Sequence, residues 1–190
     1  MEHAKLSVPE PPAGVRIARK LKPGRYRLLE VFPGLDKVPP FRKYPCPPAA
    51  RRKLAQKTSA EIAPRKGEWM YVAPHEVPPG ANRNWRPITS ADDCIVMGGE
   101  HLRKSPAMVL YLDVLHELYH VVQRWEGRPL WDESYDYADR PTEVEAYRFA
   151  VDEARRLGVK DAFLREYLRV MWISKAEHRR LLANVGVSAS

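Results

Sequence analysis

The sequence has only two cysteines, Cys46 and Cys94. They offer at most one disulfide, and neither has the spacing of a thiolate zinc site. No apolar run approaches the ~20 residues that span a bilayer, which argues against a membrane partner. The opening residues, MEHAKLSVPEPPAG, hold no apolar core of a secretory signal, so a reduced, cytoplasmic location is the expectation. No internal repeat is visible, and no helix-turn-helix, zinc-finger or RNA-binding signature. What is there is ordinary in bulk. Hydrophobic content of 44% and charged content of 29% suit a soluble globular chain, and 190 residues suffice for one well-buried domain.

Charge and proline are unevenly spread. Residues 1–66 carry 16 Lys and Arg against 5 Asp and Glu, whereas residues 67–190 carry 16 against 19. A basic half of this kind can attract nucleic acid or an acidic partner, or be a solvated face and nothing more. Fifteen of the 18 prolines fall in residues 1–87 and force extended or turning backbone. Residues 1–22 read as a flexible, basic, Pro-rich arm. Residues 23–190 read as a single domain, with a Pro-rich, β-containing part at 23–87 and a mainly helical part at 88–190.

Between the proline clusters two strands are expected, at 25–32 and 69–73, with a short basic helix over 49–62. A third strand, 94–97, is short and apolar. Ser105-Pro106 reads as N-cap and first-turn proline of a helix running to about Trp125, stopped by Gly127 and Pro129. That helix is apolar nearly all round, so it should be buried. Its polar exceptions, Asp113, His116, Glu117, His120 and Gln123, fall largely on one stripe. Ionisable groups on a buried helix need a common ligand or cation. Further helices are expected at about 141–157, 160–172 and 175–184, the last opened by a capping box from Ser174 to Glu177. The loop 127–140 is long for a helix–helix connection and so a candidate for function.

The stripe contains His116-Glu117-Leu118-Tyr119-His120, a HExxH motif. On a helix, positions i and i+4 share a face, so the two imidazoles can grip one metal ion, and Glu117 beside them suits a general base. With six histidines in the chain, chance produces this pattern about once in a hundred such sequences. Catalytic zinc needs a third protein ligand and keeps a fourth position open. Glu143 and Glu145, in Thr142-Glu143-Val144-Glu145-Ala146-Tyr147-Arg148-Phe149-Ala150, are the candidates. Glu145 also completes a capping box with Thr142.

A HExxH helix followed by Glu-x-x-Ala on a second helix resembles the gluzincin metallopeptidases. More narrowly, Glu143-x-Glu145-Ala146-x-x-Phe149-Ala150 looks like the second motif of the ImmA/IrrE-type family, over roughly residues 92–155. The resemblance implies a zincin-like α+β fold: a small sheet with an edge strand, 94–97, packed on the buried HExxH helix, a following glutamate-bearing helix, and a helical C-terminus. It implies one Zn2+ held by His116, His120 and Glu143, with Glu117 as catalytic base, and a protein or peptide substrate that adds to the edge strand. The family places Asn or Asp four residues after the ligand Glu, to hold a ligating histidine. Here that residue is Tyr147, so the tyrosine or Asp113, one turn before His116, takes the task. Tyr135, Tyr137 and Tyr147 are the candidates for binding substrate or stabilising the oxyanion. His75 and His101 are weaker candidates for touching metal or substrate, and His178 reads as solvated. Cys46 reads as a small buried hydrophobe, with a zinc-blocking thiolate as the alternative. The five tryptophans read mostly as core, with Trp131 a candidate for a substrate groove.

Overall fold

The computed structural model describes residues 8–64, 93–189 and, by their backbone, 70–72. Trp69, Ala73, His75 and Trp85 lie outside the described residues. In chain order the elements are β1 (Gly24–Arg27), α1 (Leu28–Val31), α2 (Pro48–Lys57), β2 (Ser59–Ala63), β3 (Met70–Val72), β4 (Cys94–Gly98), α3 (Gly99–Lys104), α4 (Ala107–Trp125), α5 (Pro141–Arg156), α6 (Asp161–Tyr167) and α7 (Lys175–Asn184). The class is α+β. Among the described residues no helix is long and apolar enough to cross a membrane.

The strands form one mixed sheet in the order β1-β2-β4-β3. The 94–97 strand is therefore not the edge strand that the sequence suggests. It pairs in parallel with β2, from Ser59 opposite Cys94 to Ala63 opposite Gly98, and antiparallel with β3, Met70 opposite Met97. All five residues of β4 are buried. The expectation fails because β2 is hidden behind a basic run that reads as helix through residue 62. The helix in fact stops at Lys57. Thr58 turns to extended dihedrals and donates both its N–H and its hydroxyl to the Leu54 carbonyl. Ser59 then donates to the Asp93 carbonyl at 2.7 Å, and the ladder begins.

The strand expected over 25–32 likewise ends at Arg27. Leu28, Val31 and Phe32 have the i, i+3, i+4 spacing of a helical face, and all three are fully buried. Glu30 accepts the Arg27 N–H at 2.7 Å and starts the turn. Part of the expected flexible arm is also fastened. Val15 is buried, and Arg16 and Ala18 donate to the carbonyls of Pro33 and Val31 at 2.9 and 2.8 Å. Arg19 caps the end of α3, donating to the carbonyls of Leu102 and Ser105 at 3.0 and 2.8 Å. The crossing point is tight. Gly34 has φ +86°, and a Cβ there would lie 2.1 Å from the Gly14 oxygen.

Ser105 does not cap the long helix. The short α3 intervenes, Ser105 terminates it, and Pro106 takes the N-cap of α4. Helix α4 is buried as expected, with Leu110, Leu112, Leu115, Leu118 and Val122 wholly inaccessible, although Val109 and Tyr119 are only partly buried. Its main partner is α5. There Ala146, Ala150 and Ala154 recur every four residues, fully buried, and small side chains permit close approach. Tyr111 on α4 donates to Glu153 on α5 at 2.8 Å. Helix α6 ends at Tyr167, short of the expected 172. The α7 capping box forms as expected. From α7, Arg180 pairs with Asp136 and Asp139 at 2.7 and 2.8 Å, and Asn184 donates to the Ala138 carbonyl at 2.9 Å. The 127–140 loop is thus pinned by the C-terminal helix.

Candidate metal centre

One turn of α4 brings the His116 and His120 rings to 4.6 Å between centroids, nearly perpendicular, with their Nε2 atoms 3.0 Å apart. The first turn of α5, opened by Pro141, aims Glu143 at the same point. Its Oε2 lies 3.4 Å from His116 Nε2 and 3.5 Å from His120 Nε2. All three residues are buried, as is Glu117 between the histidines. Among the described residues this is the group able to hold a metal ion.

The spacing fits an ion better than direct hydrogen bonds. Carboxylate contacts of 3.4–3.5 Å exceed good hydrogen-bond length. Ligands at 2.0–2.1 Å around a tetrahedral ion stand about 3.3 Å from one another. The three measured edges bracket that value. Burying such groups without a partner costs several kcal/mol, so a cation offsets a real penalty. Glu143, not Glu145, is the acid that reaches the histidines. The capping reading of Glu145 also fails. Helix α5 has Arg140 at its N-cap with no side-chain cap, and Glu145 pairs with Arg128 and accepts from Gln123 at 3.1 Å.

Gln123 is the residue that sequence reasoning undervalued. Its Oε1 lies 2.7 Å from His120 Nδ1, and its Nε2 donates to the Thr142 carbonyl at 3.0 Å. Nδ1–H therefore donates to Gln123, which leaves Nε2 as the ring nitrogen that faces Glu143 and His116. The available signal was its i+3 position on the same stripe.

His116 is held differently from the expectation. Tyr147 does not accept from its ring. The two rings pack at 4.2 Å, and the Tyr147 hydroxyl bonds that of Tyr137 at 2.9 Å. Asp113 is turned to His101, whose Nε2 lies 2.8 Å from its Oδ2, while Ser105 lies 2.7 Å from His101 Nδ1. His116 Nδ1 has no hydrogen-bond partner among the described residues. His101 is thus committed to a Ser105–His101–Asp113 chain and not to the metal cluster. Tyr135 is exposed and makes no hydrogen bond to the cluster among the described residues. Tyr137 and Tyr147 border it. Burial first, then the Glu143 charge, keep both phenols protonated far above neutral pH.

The electrostatics are asymmetric. Burial, and then the neighbouring His120, push the His116 imidazole below its ordinary value. Burial also opposes charge on His120, but the Glu143 carboxylate outweighs it and raises the ring to about 9. Burial would raise Glu143 too. The charge of His120 and the contacts of both histidines outweigh it, and the carboxyl falls well below its usual range.

Of the remaining candidates, Cys46 is half-buried and Cys94 buried, both as free thiols. His178 is half-buried, 3.2 Å from the Arg165 carbonyl, and so not simply solvated. Trp125, Trp131 and Trp172 are exposed and not core. Arg140 lies over the Trp131 ring at 5.8 Å. No family model, curated protein or solved structure matches the chain.

Proposed function

We propose that the chain is a zinc-dependent metallopeptidase of gluzincin type, cytoplasmic, that cleaves a specific protein or peptide substrate. His116, His120 and Glu143 hold the ion and Glu117 is the general base. The observation that carries this reading is the 3.0, 3.4 and 3.5 Å triangle of buried donor atoms, with a second buried carboxylate, Glu117, on the same helix as the histidines. Its likeness to the ImmA/IrrE pattern in the Glu143–Ala150 segment supports the same conclusion. When bound, the ion supplies Lewis acidity, lowering the pKa of water towards ~7 and polarising a carbonyl. Glu117 accepts the proton at its carboxylate and returns it to the leaving amine, a role generally worth about 10²–10⁴-fold. Gln123 keeps the His120 proton on Nδ1. Tyr137 and Tyr147, held protonated, share one hydrogen bond, so the hydroxyl that accepts it keeps its own proton to donate to a developing oxyanion. A substrate that pairs by strand addition does so at β3 or β1, the outer strands among those described, because β4 is internal.

The test is metal analysis and peptide cleavage on wild type, Glu117→Gln and Glu143→Ala. Glu117→Gln keeps one equivalent of zinc and loses cleavage; Glu143→Ala loses the zinc. Wild type that holds no divalent metal after chelator-free purification ends the proposal. A second reading is a catalytically silent, metal-stabilised module that binds nucleic acid or an acidic protein through residues 1–66. The charge excess there favours it, as does His116 Nδ1, which has no hydrogen-bonded orienting group among the described residues. Under that reading Glu117→Gln changes no activity at all.

A further inference from the structure

We propose that residues 169–179 form a second foothold for the substrate, a site for an acidic group on a peptide whose neighbouring large apolar side chain rests on Met171 and Trp172. This rests on the peptidase reading above and names its substrate class.

Met171 and Trp172 are 72% and 50% exposed, the highest values among the large apolar side chains described. Apolar area left in water forgoes the free energy of burial, so such a patch marks a contact surface. It is joined to the metal centre. Trp172 packs on Tyr137 at 5.5 Å, Tyr137 on Tyr147 at 6.4 Å, and Tyr147 on His116 at 4.2 Å. These steps put Trp172 within about five residues of extended peptide from the ligand.

Beside Met171 lies an open depression of about 490 Å³, walled by Val170 and Ile173 and ringed by Arg169, Lys175, His178 and Arg179. The nearby acids are engaged elsewhere. Glu166 pairs with Arg169 at 3.6 Å, which takes that arginine out of the count of unpaired cations, and Glu177 accepts the Ser174 N–H at 2.8 Å. Lys175 and Arg179 are exposed, and neither has a carboxylate partner among the described residues. His178 faces the Arg165 carbonyl, so Lys175 and Arg179 supply the charge. Residues 67–190 otherwise carry more acid than base, so a cationic hollow here is local and not a trend of the whole half. A guanidinium fork beside an ammonium matches a carboxylate, and the apolar walls match the stem that bears it.

The experiment uses two quenched-fluorescent peptide pools, identical except that three Glu in one replace three Lys in the other, next to a fixed Phe. Their kcat/KM ratio is measured on the zinc-loaded full chain and on the Lys175→Glu/Arg179→Glu variant, with thermal melts confirming folding. Wild type favours the Glu pool at least tenfold, and charge reversal moves the ratio at least tenfold towards the Lys pool. A wild-type ratio near one, or a ratio unchanged by the reversal, overturns the proposal. So does an oligonucleotide that blocks cleavage at a lower concentration than the Glu peptide. If wild type cleaves neither pool, the peptidase reading fails separately. Fluorescence anisotropy of the Glu peptide on Glu117→Gln then decides the foothold. Binding weakened tenfold by the reversal sustains it, and binding unaffected by the reversal, or none, removes it.

Discussion

The two ends of the His116–His120–Glu143 cluster are built on different principles. At the His120 end the ring is set by hydrogen bonds. Gln123 takes Nδ1, the Thr142 carbonyl and Glu145 take Gln123, and Arg128 takes Glu145. At the His116 end the ring is set by packing against Tyr147, and its Nδ1 has no such partner among the described residues. A hydrogen bond dictates both the tautomer and the direction of a lone pair, whereas ring packing restricts only the plane. One imidazole is therefore preset, and the other would be oriented by an ion bound to it.

The comparison can be broken most severely by Glu143→Ala, which removes the acid shared by both ends. We expect loss of stoichiometric metal through dialysis, read by atomic emission. Next in size is pH. His120, at about 9 in the metal-free protein, is protonated at pH 7 and must lose that proton to ligate. His116 is lowered and already neutral, and Glu143 is lowered and already ionised. Metal binding at pH 7 thus releases about one proton, and affinity climbs about tenfold per pH unit before levelling near 9. Calorimetry in buffers of different ionisation enthalpy counts the protons; zero or two contradicts the assignment. Smaller again, Gln123→Met strips the polar brace from His120 and lowers metal affinity by about 10–100-fold. Smallest is Tyr147→Phe. It breaks the hydroxyl pair but keeps the ring on His116, so competition with a chromophoric chelator should detect no change in affinity. A loss as large as that of Gln123→Met would mean that the hydroxyl, and not the ring, orients His116.

What was legible in the sequence follows the range of the interactions. His116, Glu117 and His120 lie within two turns of one helix, and local periodicity alone places them on one face. Glu143 was legible only through its resemblance to a known motif, because its distance from the histidines depends on how α5 docks. Gln123 stood in plain view on the stripe, but its role required the Thr142 carbonyl, 19 positions away. Glu145 was misassigned because its Arg128 partner, 17 positions away, outcompetes a local cap. The sheet was the least legible part. A five-residue β2 behind basic residues carries little signal, and missing it turned the central β4 into an edge. The exposed Trp131 and Trp172 defied a burial preference that surfaces in contact with a partner regularly override.

The position of β4 has a kinetic consequence. It has neighbours on both flanks and passes through the six-residue α3 directly into α4, so His116 and His120 ride on a segment expected to open only with the core. Glu143 sits in the first turn of α5, beside a loop held to α7 by Arg180 and Asn184 and to α5 by the Tyr137–Tyr147 and Arg128–Glu145 contacts. An ion bound there would therefore escape through melting of residues 137–143, at a rate set by those contacts and not by global unfolding.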